Sequence, residues 1–201
     1  MEKKKPGKKN IVKKKSVKKT SKSSPKKVYK ELLKGKTVNL VMEHELRGCT
    51  PEMLDWWWDN MDNDSYMMWH PEDHLALTWQ IPPARVGHAG AIHMACEKIS
   101  EIPAHILRIR WEEPEAAPIR TIYSHVNVAS PLGPGPEDIP LGCVVHEYEE
   151  TAFGTRMRST FVLPEAAPQL FLDELRKHNI AEMGQFPVFL PQLYKQKTRK
   201  P

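Results

Sequence analysis

Apolar and polar residues alternate most clearly in the second half of the chain. "LGCVVHEYEET", residues 141–151, and "GTRMRSTFVL", residues 154–163, flank the turn "TAFG" and predict a β-hairpin. "GHAGAIHMACEKI" and "AHILRIRWEE" read as two earlier strands, split by a turn around Ser100 to Pro103, and "PIRTIYSHVNVA" as a third. "SPLGPGPEDIP" is rich in Pro and Gly and predicts a loop. The alternation begins only at Arg85. Before it, "CTPEMLDWWWDNM" carries helix-start chemistry: Thr50 to cap, Pro51 at the first helical position and Glu52 near the positive end. That helix should reach about Met61, where Asp62, Asn63 and Asp64 break it. "VYKELLKGKTVNL" leads in as a short helix or strand. A long helical segment is expected from about Glu165 to Glu182, with Pro187 and Pro191 interrupting its end.

A helix, several antiparallel strands and a C-terminal helix make an α+β layout, with a curved antiparallel sheet around a long helix. Such an arrangement leaves a cavity between sheet and helix, a natural ligand site.

Charge changes this picture at one end. The chain of 201 residues has a net charge of +5, but residues 1–27 hold 13 lysines and one glutamate. Taking that +12 away leaves −7 for the rest. The tail has too few apolar residues to offset its ordering entropy, so residues 1–27 are expected to be a disordered arm and residues 28–201 the domain. The arm suits weak attachment to anionic surfaces or simple solubilisation. Without arginine or aromatic residues it offers nothing for sequence-specific nucleic-acid recognition. No apolar run suggests a signal peptide or membrane span. Cys49, Cys96 and Cys143 are odd in number and far apart, which favours a reducing, cytoplasmic setting over a disulfide framework.

Candidate chemistry lies in histidines and acids. His178 and Glu182 are four apart in a helical segment and so share a face, where they could hold one divalent ion or form an ordinary polar pair. His70 and His74 are also four apart. Pro71 could start a helical turn that makes them neighbours, or His70 could simply pack against Trp69. Trp56, Trp57, Trp58, Tyr66, Trp69 and Trp79 fall within 24 positions, which serves either a core or a pocket for a flat aromatic ligand. On a strand His93, Ala95 and Glu97 share one side, and an acid there needs the sheet rim or a buried partner such as a metal. His146 could face the same cavity or be a hydrogen-bonded strand histidine. No GxSxG elbow, P-loop or dinucleotide fingerprint is present.

Four phrases, "TPEMLDWWWDN", "YMMWHPEDH", "HEYEETAFGTRMRSTFVL" and "HNIAEMGQFPVFLPQLY", occur in an order that resembles the diacetylphloroglucinol hydrolase family, which includes phloretin hydrolase. The resemblance spans roughly Thr50 to Tyr194. It implies a Bet v 1-like helix-grip fold and hydrolysis of the carbon–carbon bond between an acyl group and a polyhydroxylated aromatic ring. It also implies one zinc ion held by two histidines and two glutamates. The positions that match are His74, with His70 the fallback, Glu97, with Glu101 the weaker choice, and the pair His178 and Glu182. Tyr66 matches a tyrosine that contacts the substrate phenol. Expelling an aryl carbanion needs a general acid, for which His146 is the first choice and His125 the second. Better-known members carry a sizeable N-terminal region that helps them dimerise. Here it is short, which leaves homodimerisation open, and a shorter segment before the C-terminal pair could open the pocket. Two rivals remain: a binding protein of the same fold, and a metal-dependent lyase or cyclase acting on polyketides.

Overall fold

The computed structural model describes residues 24–198. Most of the lysine-rich tail lies outside them. The first described helix, α1 (Pro25–Val28), straddles the expected boundary at Val28, and Tyr29 just after it is fully buried.

Seven strands form one antiparallel sheet: β1 (Thr37–Arg47), β2 (His74–Ile81), β3 (Ile92–Ile99), β4 (Ile102–Glu112), β5 (His125–Pro131), β6 (Cys143–Thr151) and β7 (Gly154–Pro164). Their order across the sheet is β1-β7-β6-β5-β4-β3-β2. Only the pairing of β1 with β7 joins strands distant in sequence. Between α1 and the C-terminal helix lie α2 (Pro51–Asn60), α3 (Asn63–Trp69) and the single turn α4 (Pro83–Val86). The last helix, α5 (Gln169–Thr198), lies across the sheet against β1 and packs on α2 and α3. This is the expected α+β layout. The β6–β7 hairpin falls where the alternation puts it. Its Gly154 has φ +136°, and an added Cβ would lie 2.5 Å from the Leu46 carbonyl oxygen, so only glycine fits this turn.

Four local expectations are corrected. The C-terminal helix runs to Thr198 with Pro187 and Pro191 inside it. Each proline removes a helical hydrogen bond, but Phe186 and Leu190 beside them are fully buried and Phe186 packs edge-on against Trp57 and Trp58. Tertiary packing outweighs the local penalty. Asp62 ends α2 but also starts α3: its carboxylate accepts from the Ser65 N–H while Ser65 Oγ accepts from the Asp62 N–H. β2 is a strand upstream of Arg85, where none was expected, and the turn at Pro71 that leads into it closes one i→i+4 bond and leaves the His70 and His74 rings 5.5 Å apart. Finally β5 starts only at His125, because the Ile122 and Tyr123 N–H groups donate to the Glu147 carboxylate instead of a strand neighbour.

Candidate metal centre and its cavity

The turn after α3 brings the two halves of "HPEDH" together. The His74 N–H donates to the His70 carbonyl at 2.8 Å, and β2 begins at His74. There His74 stands directly opposite Glu97 on β3, and the pairing slips immediately after each of them. Irregularities of this kind re-aim side chains beside functional sites. On α5, His178 and Glu182 are one turn apart and both buried.

These four side chains converge. Ligand atoms of His74, Glu97 and His178 lie within 4.8 Å of one another, and Glu182 Oε1 is 3.4 Å from His74 Nε2. Both imidazoles have Nδ1 engaged. His74 Nδ1 meets the Tyr66 carbonyl at 2.9 Å, and His178 Nδ1 meets Asp73 Oδ2 at 2.8 Å. Each arrangement puts the ring proton on Nδ1 and leaves the Nε2 lone pair free, the usual way a protein orients a metal-binding histidine. His74 Nε2 is buried and makes no hydrogen bond, although Glu97 and Glu182 approach it at 3.6 and 3.4 Å. Two buried carboxylates around lone pairs are a poor neutral core but a fitting shell for a divalent cation. Burial pushes Glu182 towards protonation, but His74, His178 and His146 around it hold it below its ordinary value. The donor set fits zinc.

The outer partners are equally ordered. Asp73 accepts from His178 and from the Ser100 N–H at 2.9 Å, and Lys98 stands 3.5 Å away. Asn179 donates to Glu182 at 3.3 Å and meets His44 at 3.1 Å. The Tyr66 hydroxyl donates to Glu97. His70 is set differently: its Nδ1 accepts from the Asp73 N–H and its ring stacks on His178, and with Asp73 and His178 it makes a second group whose ligand atoms lie within 4.8 Å of one another. Glu101 is exposed in the β3–β4 turn and its N–H meets Glu174. His125 is half-exposed on β5 beside Asp55, away from the four.

Glu97, His178 and Glu182 face a cavity of about 370 Å³ between the sheet and α5, within the usual size for a small-molecule site. Tyr66, Trp58, Trp69 and Trp111 form its aromatic walls. The tryptophan run divides, since consecutive helical residues point about 100° apart. Trp58 reaches the cavity, Trp57 is core against Phe186 and Phe189, and Trp56 packs on Tyr194. His146 lines the cavity with its ring parallel to Trp58 at 5.3 Å and Nδ1 2.9 Å from Ser159 Oγ. Burial lowers its pKa to about 4 and keeps it neutral.

Asp73 and Asn179 were not singled out by sequence, and His93 was placed only by its side of the strand. Asp73 had one weak signal, an acid adjoining a candidate ligand. His93 shares the inward side of β3 with Glu97 and lines the same cavity.

Several solved structures share the fold. The KanY protein (ms6282) is 8% identical, with TM-score 0.55 over 77% of this chain and 98% of its own. Ara h 8.0201 is also 8% identical, with TM-score 0.54 over 78% and 99%. The di-domain ARO/CYC StfQ from the steffimycin biosynthetic pathway is 9% identical, with TM-score 0.50 over 79% of this chain and 52% of that one. The architecture is the Bet v 1-like helix-grip fold, shared with polyketide cyclase-like proteins. No curated protein matches the chain. The DAPG hydrolase PhiG domain matches residues 11–195, nearly its whole length, and the chain belongs to that family.

Proposed function

We propose that this hydrolase-family protein is zinc-dependent and cleaves the carbon–carbon bond between an acyl group and a polyhydroxylated aromatic ring, releasing a carboxylic acid. The observation that carries the reading is the convergence of His74, Glu97, His178 and Glu182 at one aromatic-walled cavity, with the buried His74 Nε2 unpartnered. Membership in the DAPG hydrolase family supports the reaction class.

Zinc held by these four residues would supply Lewis acidity towards a ketone oxygen and lower the pKa of a water molecule. The protein must do the rest. Hydrolysis adds water to the acyl carbon and breaks its bond to the ring, and the ring carbon leaves well only if it receives a proton. His146 is the proposed proton carrier: with Nδ1–H donating to Ser159 Oγ, its neutral Nε2 takes the proton shed by the water that adds to the acyl carbon, and the imidazolium so formed delivers that proton to the ring carbon as the bond breaks. Tyr66 places a hydroxyl at the metal end, where it would orient a substrate phenol. Trp58 and Trp69 hold the flat ring and keep out bulk water.

The test is metal content of the purified full-length chain, together with acetate release from 2,4,6-trihydroxyacetophenone and related acylphenols. One zinc per chain with release of acid is expected. A metal-free chain that still hydrolyses these ketones would overturn the zinc assignment. Bound zinc with no acid from any acylated phenol would point to a binding protein or to a cyclase.

A further inference from the structure

His93 lies four residues before Glu97 on the inward side of β3, some 13 Å along the strand from it. It is 3% exposed, lines the same cavity, and its Nδ1 has no hydrogen-bond partner. Beside it Trp111 also lines the cavity, with ring centroids 4.9 Å apart, and Trp111 Nε1 is likewise buried without a partner. Trp79 closes the other flank edge-on at 5.4 Å.

Buried polar atoms are nearly always satisfied, and an orphan needs a reason. His93 and Trp111 both line the cavity, so one ligand group could answer both orphans. Indole N–H only donates. A neutral imidazole nitrogen accepts, or donates in its other tautomer. A hydroxyl group is the simplest substituent that answers both, since it accepts from the indole and donates to the imidazole. Burial, with His74 nearby, depresses the His93 pKa to about 3, so the ring is neutral and suited to a phenol rather than to a carboxylate.

We propose that His93 is a specificity residue whose Nδ1 hydrogen-bonds a ring hydroxyl of the substrate on the side remote from the acyl group, with Trp111 as the companion donor. The assignment rests on the acylphenol reading above and deepens it. The ketone end of the ligand meets Glu97, His178 and Glu182, and the far hydroxyl meets His93. The flat ring spans the distance between two polar ends of an otherwise apolar slot.

The test pairs two ligands with two variants. 2,4,6-Trihydroxyacetophenone carries the remote hydroxyl and 2,6-dihydroxyacetophenone lacks it. Binding of each to the zinc-loaded chain is followed by quenching of tryptophan fluorescence, with acetate release measured in parallel. The unmutated chain should prefer the trihydroxy ligand by on the order of 10- to 100-fold, because leaving the site's polar atoms unpaired is costly. In His93→Phe that preference should vanish through weaker binding of the trihydroxy ligand alone. His93→Gln, which keeps a hydrogen-bonding side chain, should retain part of it. Equal losses for both ligands in His93→Phe would make His93 a packing residue and overturn the proposal. So would an unmutated chain that does not discriminate the ligands or binds neither. Hydroxyl-dependent binding without acetate release would leave His93 assigned and overturn the hydrolase reading instead. Circular dichroism of each variant separates these outcomes from misfolding, and if His93→Phe fails to fold, a reduced preference in His93→Gln supports the assignment and an unchanged one overturns it.

Discussion

The Tyr66 ring lies flat on the His74 ring, 4.0 Å between centroids and 1° from parallel, while its own carbonyl holds His74 Nδ1. One residue thus fixes the plane, the tautomer and the position of a proposed ligand, and its hydroxyl also holds Glu97. Tyr66→Phe keeps the stack and the carbonyl but loses the hydroxyl. Zinc should therefore still bind, with affinity lowered by about 10-fold, the lower end for loss of an outer partner. Competition with a chromophoric chelator measures it. An unchanged affinity would show that the Tyr66–Glu97 contact does not tune the site.

Asp73 offers a sharper contrast. It holds His178 by Nδ1 and is itself held by the Ser100 N–H. Asp73→Asn keeps the shape and removes the charge that makes His178 a better donor. Zinc affinity should fall by about 10- to 100-fold, and His178→Ala or Glu182→Ala should fall by at least as much. Elemental analysis after dialysis against a weak chelator ranks the variants. Full zinc retention in both His178→Ala and Glu182→Ala would remove the basis of the metal assignment.

How much of this was legible in the sequence depended on the range of the interaction. The β6–β7 hairpin was readable because alternation and its tight turn are local. The start of α2 was readable because Pro51 and Glu52 act within one turn. Spacing put His178 and Glu182 on one face but could not say what faced them. Their company with His74 and Glu97 comes from β2 pairing with β3 and from α5 crossing the sheet, the latter a contact made across about a hundred residues. β2 was missed because its burial does not alternate cleanly, and its register slips after His74. The continuous α5 was missed because Pro187 and Pro191 speak locally for a break, while the buried Phe186 and Leu190 that outweigh them are visible only in the folded chain. His74 and His70 differ in which partner each Nδ1 engages, a carbonyl for His74 and an N–H for His70, and no spacing encodes that.

His146 separates catalysis from binding. It touches the cavity but none of the proposed metal ligands by hydrogen bond. His146→Gln should keep zinc and keep ligand binding, and lose turnover by on the order of 10²- to 10⁴-fold, the usual contribution of a positioned proton donor. Acetate release measured beside metal content distinguishes the outcomes. Loss of zinc would make His146 part of the metal shell, and unchanged turnover would make it structural.

Burial of His93 and His146 should make the fold sensitive to acid. Burial depresses both pKa values, to about 3 and about 4, from an ordinary value of 6.5. The unfolded chain therefore binds protons at these sites between pH 6.5 and 4 that the folded chain does not. Stability rises with pH across that window. Their contribution is fully present above about pH 6.5 and drains away as the pH falls towards the folded values. Each pKa unit is worth about 1.4 kcal/mol, so at pH 5 each histidine costs at most about 2 kcal/mol. Zinc release at low pH would add its own loss, so the measurement belongs on the chelator-treated chain. Urea midpoints at pH 7.5 and pH 5 should fall for the unmutated chain. They should fall less for His146→Gln, whose side chain does not titrate, and less for His93→Gln. The two savings should add, because the rings sit in different parts of the cavity wall and share no hydrogen bond. An equal fall in all three proteins would mean that neither imidazole is held neutral and that acid sensitivity arises elsewhere.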